Sequence, residues 1–155
     1  MHKIFTFFTL LLFLTSISAY EKNKGQGFKI WDGKKSDQIK FYLDLKVNSD
    51  NPDKAINLIN EMVIFIKDLE PDTITYEYYI SKDKKSISLR EVYKNSETAL
   101  FHMNNFGEGP YAERFLSLMT IRSFQVMGNA SDELMRSLEP FTKDNRLLIS
   151  GFDRN

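Results

Sequence analysis

Ser86 to Phe106 reads S-I-S-L-R-E-V-Y-K-N-S-E-T-A-L-F-H-M-N-N-F, and the fold turns on it. Its first half alternates as a strand does. Ile87, Leu89, Glu91 and Tyr93 share one face, and Ser88, Arg90, Val92 and Lys94 share the other. Glu91 stands on the apolar face where a hydrophobe is expected. Asn95 and Ser96 then offer N-cap chemistry, since a short side-chain oxygen accepts from a free amide of the first helical turn. The helix expected next carries His102 beside Ala99, Met103 and Phe106. A core-facing carboxylate on a strand and an imidazole on the following helix can meet in one cavity.

Upstream, Ile39, Phe41, Leu43, Leu45 and Val47 alternate with Lys40, Tyr42, Asp44 and Lys46, which predicts a half-buried strand. Ser49-Asp50-Asn51-Pro52 is helix-start chemistry with proline in the first turn. Apolar residues then recur at helical spacing from Ala55 to Leu69, and Pro71-Asp72 ends the pattern. Thr73 to Ser81 predicts a second strand, with Ile74, Tyr76, Tyr78 and Ile80 on one face and Thr75, Glu77 and Tyr79 on the other. Lys82 to Lys85 is the turn into the opening stretch.

Downstream, Gly107-Glu108-Gly109-Pro110 breaks the helix, and helical spacing resumes from Tyr111 to Leu118. Thr120 to Met127 predicts a fourth strand. A turn at Gly128 leads to a short helix capped by Ser131 and stopped by Pro140. Leu147 to Phe152 predicts a last short strand. This order is a βαββαβ core with a C-terminal helix and strand. The fold class is α+β, ferredoxin-like, with an antiparallel sheet and both main helices on one face. The other face carries tyrosines, threonines and charges, and a second copy of the chain is expected to cover it as a homodimer.

With 155 residues the chain is long enough for one domain with a full core, placed at residues 39–154. Lys plus Arg number 21 and Asp plus Glu number 21, so no net charge draws the chain to nucleic acid. Residues 1–19 join a short basic start to an apolar run, Ile4 to Leu14, and a small-residue tail. The run is short for a bilayer span, which needs ~20 apolar residues. A secretory signal cleaved after Ser18 or Ala19 is expected, leaving no membrane span and placing the protein in the periplasm or outside the cell. Retention of the segment as an anchor is the alternative. Residues 20–38, rich in glycine and lysine and holding Trp31, are read as a linker. The absence of cysteine excludes disulfides, a thiol nucleophile and any thiolate metal site.

The runs P-D-T-I-T-Y-E-Y-Y-I-S and I-S-L-R-E-V-Y-K-N-S-E-T-A-L-F-H-M resemble the antibiotic biosynthesis monooxygenase family of dimeric α+β barrels. That pattern has a Tyr-Glu pair on the second strand, here Tyr76 and Glu77. On the third strand it has a Glu followed by an aromatic, here Glu91 and Tyr93. The next helix opens with Ser-Glu-x-Ala, here Ser96, Glu97 and Ala99, and carries a histidine, here His102. N-F-G-E-G-P-Y-A-E-R-F-L, V-M-G-N-A-S-D-E-L and G-F-D-R resemble a subgroup of the same family. The resemblance implies oxidation of a small aromatic or quinol molecule by dioxygen, with no metal, no flavin and no other cofactor. The tryptophan and asparagine that some active members use have no counterpart on the core elements here. Related haem-degrading barrels need a late-helix histidine that is missing around Ala112-Glu113.

Glu91 and His102 are accordingly the candidate catalytic pair. Burial raises a carboxyl's pKa toward neutrality, and an imidazole beside it can help to deprotonate a ring hydroxyl. Tyr76, Tyr78 and Tyr93 are the candidate substrate-binding wall, with Asn105 as a hydrogen-bonding partner for the ligand. The competing reading is a non-catalytic dimeric barrel that binds a small hydrophobic ligand. In it Glu91 is closed off in a pair with His102 or Arg90, the tyrosines are core or interface, and Asn104 or Asn105 serves the helix end.

Overall fold

A computed structural model of the chain describes residues 36–151. The expected signal at 1–19, the linker up to residue 35 with Trp31, and the closing Phe152 to Asn155 lie outside the described residues. The elements run β1 (Ile39–Val47), α1 (Asp53–Leu69), β2 (Thr73–Ile80), β3 (Ser86–Tyr93) and α2 (Ser96–Glu108). They continue with α3 (Ala112–Leu118), β4 (Met119–Met127), α4 (Asp132–Leu138) and β5 (Asn145–Arg146). The sheet order is β2-β3-β1-β4-β5, antiparallel throughout except for the short parallel pairing of β5 on β4. This is the expected ferredoxin-like α+β arrangement.

Alternation decides which face of the sheet is covered. Ile39, Phe41, Leu43, Leu45 and Val47 of β1 are buried, with Ile87, Leu89 and Tyr93 of β3 and Phe124 and Val126 of β4. Against them α1 buries Ala55, Leu58, Ile59, Met62 and Ile66, one stripe at helical spacing. Asn95 caps α2 as its sequence suggests, its Oδ1 accepting from the Thr98 amide at 2.9 Å. The opposite face is polar, with Arg90 bound to Glu77 at 2.8 Å and Arg122 to Asp44 at 2.9 Å.

Helix α2 ends at Glu108, inside the Gly107–Pro110 break that the sequence predicts. Two details differ from the sequence reading. A register shift between Thr73 and Thr75 leaves Ile74 out of step, so it is exposed, as is Ile80 at the strand end. Among the described residues the last strand is Asn145–Arg146, and residues 147–151 of the expected Leu147–Phe152 strand form none. Asn145 donates to the carbonyls of Val126 and Gly128 at 3.2 and 3.1 Å, which fixes the pairing before the apolar run begins. Leu147, Leu148 and Ile149 are exposed.

Two glycines should respond oppositely to the same change. Gly128 has φ +122, and a Cβ there would stand 2.6 Å from the Gln38 carbonyl oxygen. Gly107 is helical with nothing within 4 Å of an added Cβ. Gly128→Ala is expected to lose about 1–3 kcal/mol and Gly107→Ala to gain about 0.5–1 kcal/mol, both read from denaturant unfolding.

Candidate active site

Glu91 lies in the middle of β3, opposite Phe41 on one side and Tyr76 on the other. Its residue is 4 % exposed, and His102 on α2 is 3 % exposed. The two meet as the sequence pattern suggests, with His102 Nε2 3.7 Å from Glu91 Oε1. That separation is longer than a hydrogen bond. Arg90 points to the other face and binds Glu77, so it takes no part.

The stronger partner of His102 is Glu70, which the sequence does not single out. Glu70 caps the C-terminus of α1, its amide donating to the Ile66 carbonyl at 2.9 Å. The chain then turns into β2, and the Thr73 amide returns to the Glu70 carbonyl at 3.0 Å. This turn buries Glu70 to 2 % exposure. Its carboxylate accepts from Thr73 Oγ1 at 2.9 Å and from Asn105 Nδ2 at 3.1 Å, and lies 3.0 Å from His102 Nδ1. An ionised carboxylate only accepts, so Nδ1 carries the hydrogen and Nε2 is turned to Glu91. A charged residue between Leu69 and Pro71 reads in sequence as a solvated helix end. The one available signal is a threonine three residues on.

Burial opposes charge on all three groups, and hydrogen bonds decide among them. Burial raises the Glu91 carboxyl, and the nearby His102 only partly offsets it. Burial also works against the Glu70 carboxylate, but donation from His102, Asn105 and Thr73 outweighs it and lowers the pKa. For His102, burial pulls the pKa down while the Glu70 bond and the Glu91 charge push harder, so it ends raised. The imidazole thus sits between a carboxylate held low by its donors and one held high by burial.

A narrow cavity of about 40 Å³ opens on this group. Tyr76, Tyr78, Glu91 and His102 line one part of it, and Leu43, Met103, Phe106, Phe115, Ile121 and Phe124 are among its apolar walls. The Tyr76 and Tyr78 hydroxyls are 2.8 Å apart, and burial first, then the Glu91 charge among others, raises both phenols. Tyr93 and Asn105 are not among the lining side chains. Tyr93 packs between Phe41 and His102, ring centroids 5.0 and 5.3 Å away, with its buried hydroxyl lacking a partner among the described residues. Asn105 spends its amide on Glu70. Among the described residues no group of three or more His, Asp or Glu is disposed to hold a metal ion.

MupZ from Pseudomonas fluorescens superimposes with a TM-score of 0.68 at 19 % identity, over 81 % of this chain and 95 % of MupZ. SnoaB, a cofactor-independent oxygenase from Streptomyces nogalater, matches with a TM-score of 0.53 at 14 % identity, over 61 % of this chain and 95 % of its own. A conserved Bacteroides thetaiotaomicron protein of unknown function, described as a possible oxidoreductase, matches at 0.53 and 19 % identity, over 61 % and 99 %. No protein-family model and no curated protein matches the chain. The likeness is one of fold. The chain shares with these proteins the ferredoxin-like α+β fold that its strand and helix patterns predict.

Stability should report the buried charges. Glu91 and His102 both have raised folded-state values. Their contributions are complete below the ordinary values of 4.5 and 6.5 and are lost as pH climbs through the folded ones. Glu70 is lowered, so its contribution is lost only as pH falls below 4.5. The guanidinium midpoint should therefore fall from pH 6 to pH 9, and a Glu91→Gln, His102→Gln double variant should flatten that slope. Glu70→Ala, which strands a buried imidazolium, should cost about 3 kcal/mol at pH 6 in the same measurement.

Proposed function

We propose that the protein is a cofactor-independent monooxygenase that oxidises a small aromatic or quinol molecule with dioxygen. The observation that carries this reading is the directed imidazole. Glu70 fixes its Nδ1, and Nε2 faces Glu91 at the tyrosine-walled part of the cavity. In its neutral form His102 takes the proton of a ring hydroxyl through Nε2. Glu91, beside Nε2 at 3.7 Å, stabilises the imidazolium that forms. The electron-rich ring anion then reduces dioxygen itself. A quinol with a free ring carbon becomes a hydroxyquinone, one oxygen atom entering the ring and the other leaving as water. The quinol supplies all four electrons, so the balance needs no cofactor.

Export and homodimerisation through the open sheet face belong to the same reading. Among the described residues no helix is long and apolar enough to cross a membrane. One observation favours a second reading, a non-catalytic barrel that binds a small hydrophobic ligand. Most of the side chains lining the cavity are apolar, which suits a small hydrophobic ligand without any chemistry done on it.

Oxygen uptake with a panel of hydroquinones and phenols separates the two. The purified protein should exceed the autoxidation rate for at least one ring. His102→Ala should lower that excess by about 10²-fold or more, and Glu91→Gln by a smaller factor, with far-UV circular dichroism unchanged. An uptake equal to autoxidation across the panel favours the binding barrel.

A further inference from the structure

The polar and apolar parts of the cavity stand on different strands. Tyr76 and Tyr78 come from β2 and Glu91 from β3, with His102 packed against Tyr76 at a ring separation of 5.6 Å. Leu43 comes from β1, and Ile121 and Phe124 from β4, with Phe115 and Phe141 beside them. In the order β2-β3-β1-β4, the tyrosines and the β4 pair are three strand spacings apart, or ~14 Å at ~4.8 Å each. Every polar lining side chain is thus gathered at the β2–β3 end. The β1–β4 end is lined by hydrocarbon and phenyl groups alone.

We propose that the site selects a ring hydroxylated at one end and carrying hydrocarbon at the other, a 4-alkylcatechol in preference to a para-hydroquinone. This rests on the monooxygenase reading and names its substrate class. One catechol hydroxyl meets His102 Nε2 and Glu91. Its neighbour meets the Tyr76–Tyr78 hydroxyl pair, which is already joined at 2.8 Å. The alkyl tail runs toward Ile121 and Phe124. A para-hydroquinone bound by the same head carries its second hydroxyl into the apolar end, where no lining side chain can pair with it. Entry of the ring displaces wall side chains, and Met62 and Met103, unbranched and flexible, are suited to that movement. The step balances as before. The alkylcatechol and dioxygen give a hydroxylated ortho-quinone and water, the catechol losing four electrons, with one oxygen atom entering at a free ring carbon.

The test uses the full chain with 4-butylcatechol, catechol and hydroquinone, read by calorimetric titration under argon and then by oxygen uptake in air. Butylcatechol should bind roughly tenfold or more tightly than hydroquinone, with catechol between them. Ile121→Asn should narrow or reverse that order. Hydroquinone binding as tightly as butylcatechol, with uptake above autoxidation, overturns the selectivity and leaves the monooxygenase reading in place. Preferential butylcatechol binding without uptake upholds the ligand class and removes the monooxygenase reading. Failure of all three to bind overturns the inference.

Discussion

A carboxylate 2 % exposed must be met by donors or it does not stay charged, and the Glu70 side chain is in that position. Its donors come from separate parts of the chain. Thr73 opens β2, while His102 and Asn105 sit one turn apart on α2. Meeting that one charge therefore ties the end of α1, the start of β2 and the inner face of α2 together. The ferredoxin-like topology brings these elements close, and the Glu70 cluster fixes how they meet. The strands carry most of the apolar burial.

That constraint gives the site its direction. With Nδ1 committed to Glu70, the second nitrogen of His102 has one place to face, the cavity and Glu91. The two carboxylates are chemically alike and behave differently because their surroundings differ. Glu70 has three side-chain donors and is lowered, whereas Glu91 is buried with its imidazole neighbour 3.7 Å away, beyond hydrogen-bond reach, and is raised by that burial. Two carboxyls of separated strength on one imidazole make its two nitrogens unequal.

Much of this was legible before any coordinates. Period-two alternation in Ile39–Val47 and Ser86–Tyr93 exposes the buried face of the sheet, and a glutamate on that face stands out against it. Asn95 announces the α2 start by its own capping chemistry. Glu70 was not legible, because a charged residue at a helix end is ordinarily solvated. Only the tight turn into β2, a tertiary consequence, buries it. For the same reason Asn105 could be picked as a polar residue near the site but not assigned to Glu70. Tyr93 lies on the right face of its strand, yet packing against Phe41 and His102 keeps it out of the cavity lining. At the C-terminus, the apolar run from Leu147 outweighs Asn145 in a periodicity reading. In the fold, the amide of Asn145 fixes the strand.

The central claim is that Glu70 holds the His102 hydrogen on Nδ1 and turns Nε2 toward the cavity. Nitrogen-15 NMR of the imidazole from pH 5 to 9 tests it directly, since His102 is the only histidine beyond His2. The account predicts Nδ1 protonated throughout, with Nε2 alone titrating at a value above the ordinary 6.5. A neutral ring carrying its hydrogen on Nε2, or a titration below 6.5, would contradict it.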